Sequence, residues 1–111
     1  MVEVPGKKVL SVSQLNRMAR QLLESDLPVL WVEGEVSNLA RPASGHLYFS
    51  LKDDKAQIRC ALFRGRGRNT DVSVANGHQV LARGRVSIYE PRGDYQLIVD
   101  THEDDARLDL L

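Results

Sequence analysis

The chain has 111 residues and a formal net charge of +0, from 15 basic and 15 acidic side chains. That length fits one domain burying roughly two-thirds of its unfolded surface around a single core, and 42% hydrophobic with 27% charged residues exclude a disordered tail. No apolar run exceeds four residues, so nothing spans a bilayer; the start lacks the basic-then-apolar pattern of a signal peptide, and the lone Cys60 fits a reducing cytoplasm.

Residues 1–10, with Pro5-Gly6-Lys7-Lys8, read as a flexible arm. Ser11 to Asp26 reads as an amphipathic helix. Leu15, Met18, Ala19, Leu22 and Leu23 follow the spacing of one apolar stripe, expected to face the core. Ser11 with Gln14 three positions on is a capping-box pattern. Pro28 ends the helix by biasing Leu27 away from helical angles.

From Val29 the hydrophobic period changes from 3.6 to 2. Leu30, Val32 and Val36 alternate with Trp31, Glu33 and Glu35 in a first strand, with Gly34 where it bends or bulges. After a loop at Arg41-Pro42-Ala43-Ser44-Gly45, Leu47, Phe49 and Leu51 alternate with His46, Tyr48, Ser50 and Lys52. Asp53-Asp54-Lys55 is a turn into a third strand, in which Ile58, Cys60 and Leu62 alternate with Gln57, Arg59, Ala61 and Phe63. Residues 64–78 read as a loop in which Val72 and Val74 make a brief apolar contact. A fourth strand follows at Val80–Ile88, a turn at Glu90–Asp94, and a fifth strand at Tyr95–Thr101.

Five short strands without crossover helices must pair mostly antiparallel, and closing them removes exposed edges. The predicted fold is mainly β: a five-stranded, OB-fold-like antiparallel barrel with an N-terminal α-helix, over residues 11–102. The helix is expected to plug one end of the barrel. The helix usual between strands three and four reads as shortened to a loop, and residues 103–111 read as a truncated linker.

The neutral total conceals a gradient. Residues 41–95 carry ten bases, eight of them arginine, against five acids; residues 96–111 carry Arg107 against five acids. Arginine suits forked phosphate contacts and stacking on flat rings. Period-2 geometry sets His46, Tyr48, Ser50 and Lys52 beside Gln57, Arg59, Ala61 and Phe63 on one outer face. Rings for unpaired bases and cations for the phosphates between them make a single-strand platform. Arg41 and Arg92 flank it from two loops. The same residues also suit a merely solvated sheet with cross-strand pairs. Arg64-Gly65-Arg66-Gly67-Arg68 resembles an RGG-type segment and leaves open a phosphate-contacting loop or a plain mobile one.

Trp31 is expected to pack beneath the helix and Cys60 to fill a small core position. His46, His78 and His102 share no ligand spacing, so no metal site is expected. Neither the Asp53-Asp54 pair nor the Glu103–Asp105 run converges as metal ligands would. No serine, cysteine or histidine has an activating neighbour set, so the chain is expected to hold no catalytic residue and no cofactor.

Glu33-Gly34-Glu35-Val36-Ser37-Asn38, Pro42–Asp53, Gln57–Arg64 and Tyr89-Glu90-Pro91-Arg92-Gly93-Asp94-Tyr95-Gln96 together resemble the N-terminal domain of the exodeoxyribonuclease VII large subunit, as does the opening Leu10–Asn16. The resemblance covers about residues 11–101. It implies an OB-fold domain that binds single-stranded DNA ahead of a nuclease domain, which this chain lacks. It also implies small subunits bound to a later helical region, and cleavage without a divalent metal. The DNA-binding candidates are therefore Arg41, His46, Tyr48, Lys52, Arg59, Phe63, Arg64 and Arg92. The alternatives are a docking or oligomerisation module, for which the acidic tail and an exposed helix patch would be the signs, and an RNA-binding OB domain.

Overall fold

The computed structural model describes residues 6–63 and 74–99, together with the backbone of residues 108–110. Its elements in chain order are α1 (Val12–Asp26), β1 (Leu30–Ala40), β2 (Leu47–Lys52), β3 (Gln57–Leu62), β4 (Gln79–Tyr89), β5 (Asp94–Val99) and β6 (Leu108–Leu110). The capping box forms: the Gln14 amide donates to Ser11 Oγ at 3.1 Å, and the Ser11 amide donates to Gln14 Oε1 at 2.8 Å. Leu27 leaves the helix with extended angles directly before Pro28.

The strands close in the order β1-β2-β3-β5-β4, and β4 pairs back to β1. Four of the five seams are antiparallel; β3 and β5 run parallel, with Arg59 opposite Gln96 and Ala61 opposite Ile98. Within the barrel the two long strands each serve two partners. β1 pairs β4 through Leu30–Glu35 and then β2 from Glu35 onward, while β4 changes from β1 to β5 at Gly84. A register shift between Ser37 and Ala40 coincides with Asn38 at φ 52°, a left-handed conformation that asparagine tolerates.

Inward residues follow the predicted alternation. Val36, Leu47, Phe49, Leu51, Cys60, Leu62, Val80, Ala82, Val86, Leu97 and Val99 are buried in one cluster, joined by Val74. Enclosing a side chain the size of Phe49 contributes on the order of 1.5–3 kcal/mol. Burial pushes the Cys60 thiol up to about 12. Thiol titration with a disulfide reagent at pH 8 is therefore expected to leave Cys60 unmodified in the native chain and to modify it on unfolding. Rapid native labelling would contradict a closed core.

The turn after β2 is built on Asp53. The Lys55 and Ala56 amides both donate to its Oδ1 at 2.8 Å and hold its carboxyl below the usual carboxylate range.

Two expectations need correction. The stripe on α1 does not face the core as a whole: Leu23 packs against it, with Leu27 beyond the helix end, but Leu15 and Leu22 are 55% and 59% exposed. The helix meets the barrel through a neighbouring face of polar side chains. Asn16 Nδ2 donates to the Glu90 carbonyl at 2.9 Å, Arg20 Nη1 to Glu90 Oε2 at 2.6 Å, and Ser87 Oγ to Glu24 Oε2 at 2.7 Å. These bonds fix the rotation of α1 against β4 and the turn that follows it. Trp31, for its part, does not pack beneath the helix. It is 50% exposed, with the Arg83 guanidinium 5.7 Å from its ring centre.

A sixth strand was not read from the sequence. β6 pairs β4 at Val80–Ala82, on the edge of β4 that β1 leaves free, and so prolongs the ladder begun by β5.

Candidate nucleic-acid interface

β2 and β3 pair so that Tyr48 faces Ala61 and Ser50 faces Arg59. Tyr48 and Phe63 lie on one outer face, with centroids 6.2 Å apart and rings nearly perpendicular. His46 completes a cluster, 5.4 Å from Phe63 and 6.3 Å from Tyr48, both edge-on. Edge-to-face packing leaves part of each ring's flat face unoccupied by its neighbours. Phe63 remains 40% exposed, a high value for an apolar ring in a barrel wall.

The rings border a groove of about 470 Å³. Its walls are Tyr48, Phe63 and Tyr89, its floor includes Ala61, and Arg59 and Arg92 enter it. Ser50 and Ala61 point outward as predicted yet are buried. Arg59 Nη1 donates to Ser50 Oγ at 3.0 Å and lies across that serine. Small residues beneath a long cation and flanking rings are what make this face concave. Asp94 and Gln96 also line it; Asp94 Oδ2 is 3.4 Å from Arg92 Nε.

The candidate residues separate by position. Tyr48, Arg59, Phe63 and Arg92 line the groove, and His46 joins through its ring contacts. Arg41 sits in the loop between β1 and β2, with Nη2 donating to the Val74 carbonyl at 3.1 Å. Lys52 lies at the far end of β2, where Nζ is 3.6 Å from Glu35, beside a second cavity of about 280 Å³ walled largely by Leu30, Val32, Leu51, Ile58, Val86 and Leu97. Four residues at about 3.3 Å each separate it from Tyr48. Arg64, the arginine–glycine run and the shortened-helix segment lie outside the described residues.

Tyr89, Asp94 and Gln96 were not among the candidates. All three fall in the Tyr89–Gln96 stretch, whose turn is held from behind. Glu90 takes bonds from Arg20 and ion-pairs with Arg17 at 3.5 Å, and the helix thereby braces the turn carrying Arg92. Among the described residues no group of three or more His, Cys, Asp or Glu is gathered as a metal site would need, and no helix is long and apolar enough to cross a membrane.

The sequence matches the family model described as an OB-fold nucleic acid binding domain over residues 10–103. Curated relatives named exodeoxyribonuclease 7 large subunit align with most of the chain. Those of Pseudomonas aeruginosa strains are 60% identical over 97 residues, covering 87% of this chain and 21% of the relative. That of Thiobacillus denitrificans is 61% identical over 93 residues, covering 84% and 21%. The chain thus spans about a fifth of the length of these relatives. Among solved structures, a replication protein A heterotrimer bound to ssDNA aligns with a TM-score of 0.58 at 15% identity, over 77% of this chain and 58% of that one. A putative aspartyl-tRNA synthetase from Leishmania major Friedlin aligns at 0.60 and 14% identity, over 99% and 22%. At such identities the structural likeness speaks to fold alone.

Proposed function

The chain belongs to the OB-fold nucleic acid binding domain family, and on that premise we propose that it binds single-stranded DNA along the β2–β3–β5 groove. In a protein like its curated relatives, it delivers the strand to a nuclease domain outside this chain, and small subunits of exodeoxyribonuclease VII engage regions that are likewise outside it.

The observation that carries this reading is the cluster of His46, Tyr48 and Phe63 with Arg59 and Arg92 in one groove. Unpaired bases offer π-faces to such rings whatever their sequence, while a duplex keeps its bases stacked on one another. The replication protein A heterotrimer that shares this fold is bound to ssDNA, so the fold itself is compatible with this choice.

Fluorescence anisotropy with labelled oligo-dT, its duplex and the matched RNA tests it. Binding is expected to favour single-stranded DNA and to fall by about 0.7 log units per neutralised phosphate for each log unit of salt. Equal affinity for duplex would overturn the stacking mechanism. Preference for RNA would make this an RNA-directed module, because the strands differ at the 2′-hydroxyl.

The exposed Leu15 and Leu22 on α1 favour a second reading, a docking face. Size-exclusion chromatography showing a dimer, with no shift on adding oligonucleotide, would favour it over the groove.

A further inference from the structure

We infer that the bound strand does not end at the groove but continues over β5 and β4 to a second stacking station formed by Trp31 and Arg83, with Arg85 as the phosphate contact between. This rests on the groove reading and lengthens its footprint.

The strand registers define the path. Tyr48 opposes Ala61, Ala61 opposes Ile98, and Ile98 opposes Arg85, so these four form one row across β2, β3, β5 and β4. The row lies on the outer surface, because Leu97, Val99 and Val86 on either side of it are core residues. Two residues along β4 on the same face is Arg83, which opposes Trp31 on β1. At about 4.8 Å between strands, Arg85 lies roughly 10 Å from the groove floor. That is on the order of three stacked nucleotides at about 3.4 Å each.

The chemistry along the path suits a polynucleotide. Ile98 is a half-buried aliphatic surface and Arg85 is exposed. Trp31, half exposed, holds Arg83 at 5.7 Å from its ring centre. A guanidinium on one side of an indole leaves the opposite side for a base and supplies positive charge near its phosphate. Glu33, next along β1 on this face and opposite Leu81, bounds the track, since its carboxylate repels phosphate. OB folds cover about 4–16 nucleotides, so a footprint longer than the groove lies within the known range.

Trp31 is the chain's sole tryptophan, so emission excited selectively at the indole, beyond tyrosine absorption, reports on this station alone. Unlabelled oligo-dT of about 5 and about 14 nucleotides, chosen to bracket OB site sizes, is titrated while anisotropy of labelled copies records binding. Both lengths are expected to bind, and the longer is expected to quench Trp31 saturably and the shorter hardly at all. Trp31→Ala is expected to weaken the longer oligonucleotide about 5- to 100-fold and the shorter less than about twofold. Trp31→Phe is expected to recover most of the loss. Arg85→Ala is expected to lower the salt slope for the longer one by about 0.7.

Full binding of the longer oligonucleotide without quenching overturns the station and leaves the groove standing. Quenching that persists at the parent chain's oligonucleotide concentrations in a Tyr48→Ala, Phe63→Ala double variant keeps the station and overturns the groove. No binding at either length overturns both.

Discussion

Substituting Tyr48 or Phe63 by alanine is expected to weaken oligo-dT binding about 5- to 100-fold each, across all sequences alike. The magnitude follows from base–aromatic stacking at about 1–3 kcal/mol per base. Because the two rings lie 6.2 Å apart and share His46 as an edge-on neighbour, removing one loosens the other. The double variant should therefore lose less than the product of the single losses. Tyr48→Phe keeps the ring and should stay within about threefold, since stacking and not the hydroxyl carries the contact. Lys52→Ala should hardly matter, its ammonium being paired with Glu35 at the far end of β2. Anisotropy at fixed salt measures all five variants, with thermal melts to show that each is folded. Ring removal without effect, combined with a large loss in Lys52→Ala, would move the binding face to the opposite end of the barrel.

That face was legible because it depends on local periodicity. Alternation along β2 and β3 places Tyr48, Arg59 and Phe63 without knowledge of any distant partner, and the Asp53 turn fixes the register between the two strands. Tyr89 and Gln96 were not legible as groove residues, because they reach it through the parallel β3–β5 seam, a closure across more than thirty residues of chain that no local pattern encodes. Lys52 was grouped with the rings since alternation shows which face a residue shares and not how far along that face it lies. The helix misled for a related reason. Its apolar stripe is real, but Asn16, Arg20 and Glu24 find polar partners on Glu90 and Ser87, 63 to 74 positions away, and those bonds set the rotation. Trp31 follows from the same error: with the helix braced against β4 and its turn, that ring stays half exposed beside Arg83.

Gly84→Ala is expected to be the most damaging small substitution in the barrel, costing about 3 kcal/mol or more, at or above the top of the usual range for overpacking. Gly84 is where β4 passes from β1 to β5. A Cβ there would collide with the Ile98 carbonyl oxygen and come within 2.9 Å of its carbon and 3.1 Å of Val99 Cα. All three obstacles are backbone atoms of the neighbouring strand, so relief requires β5 to move. Gly34, beside the change of partner in β1 at Glu35, is less constrained. Its Cβ would meet Leu51 Cγ at 2.8 Å, a side-chain and not a backbone atom, and the Lys52 carbonyl oxygen at 3.1 Å. Against a total stability of about 5–15 kcal/mol for a domain, urea unfolding should show a midpoint lowered by about 1.5 M or more for Gly84→Ala and by clearly less for Gly34→Ala. The reverse order would mean that β4 and β5 cross less closely than described. Displacing β5 also displaces Gln96 from beside Arg59, so the part of Gly84→Ala that still folds should bind oligo-dT more weakly, whereas folded Gly34→Ala should bind as the parent chain does.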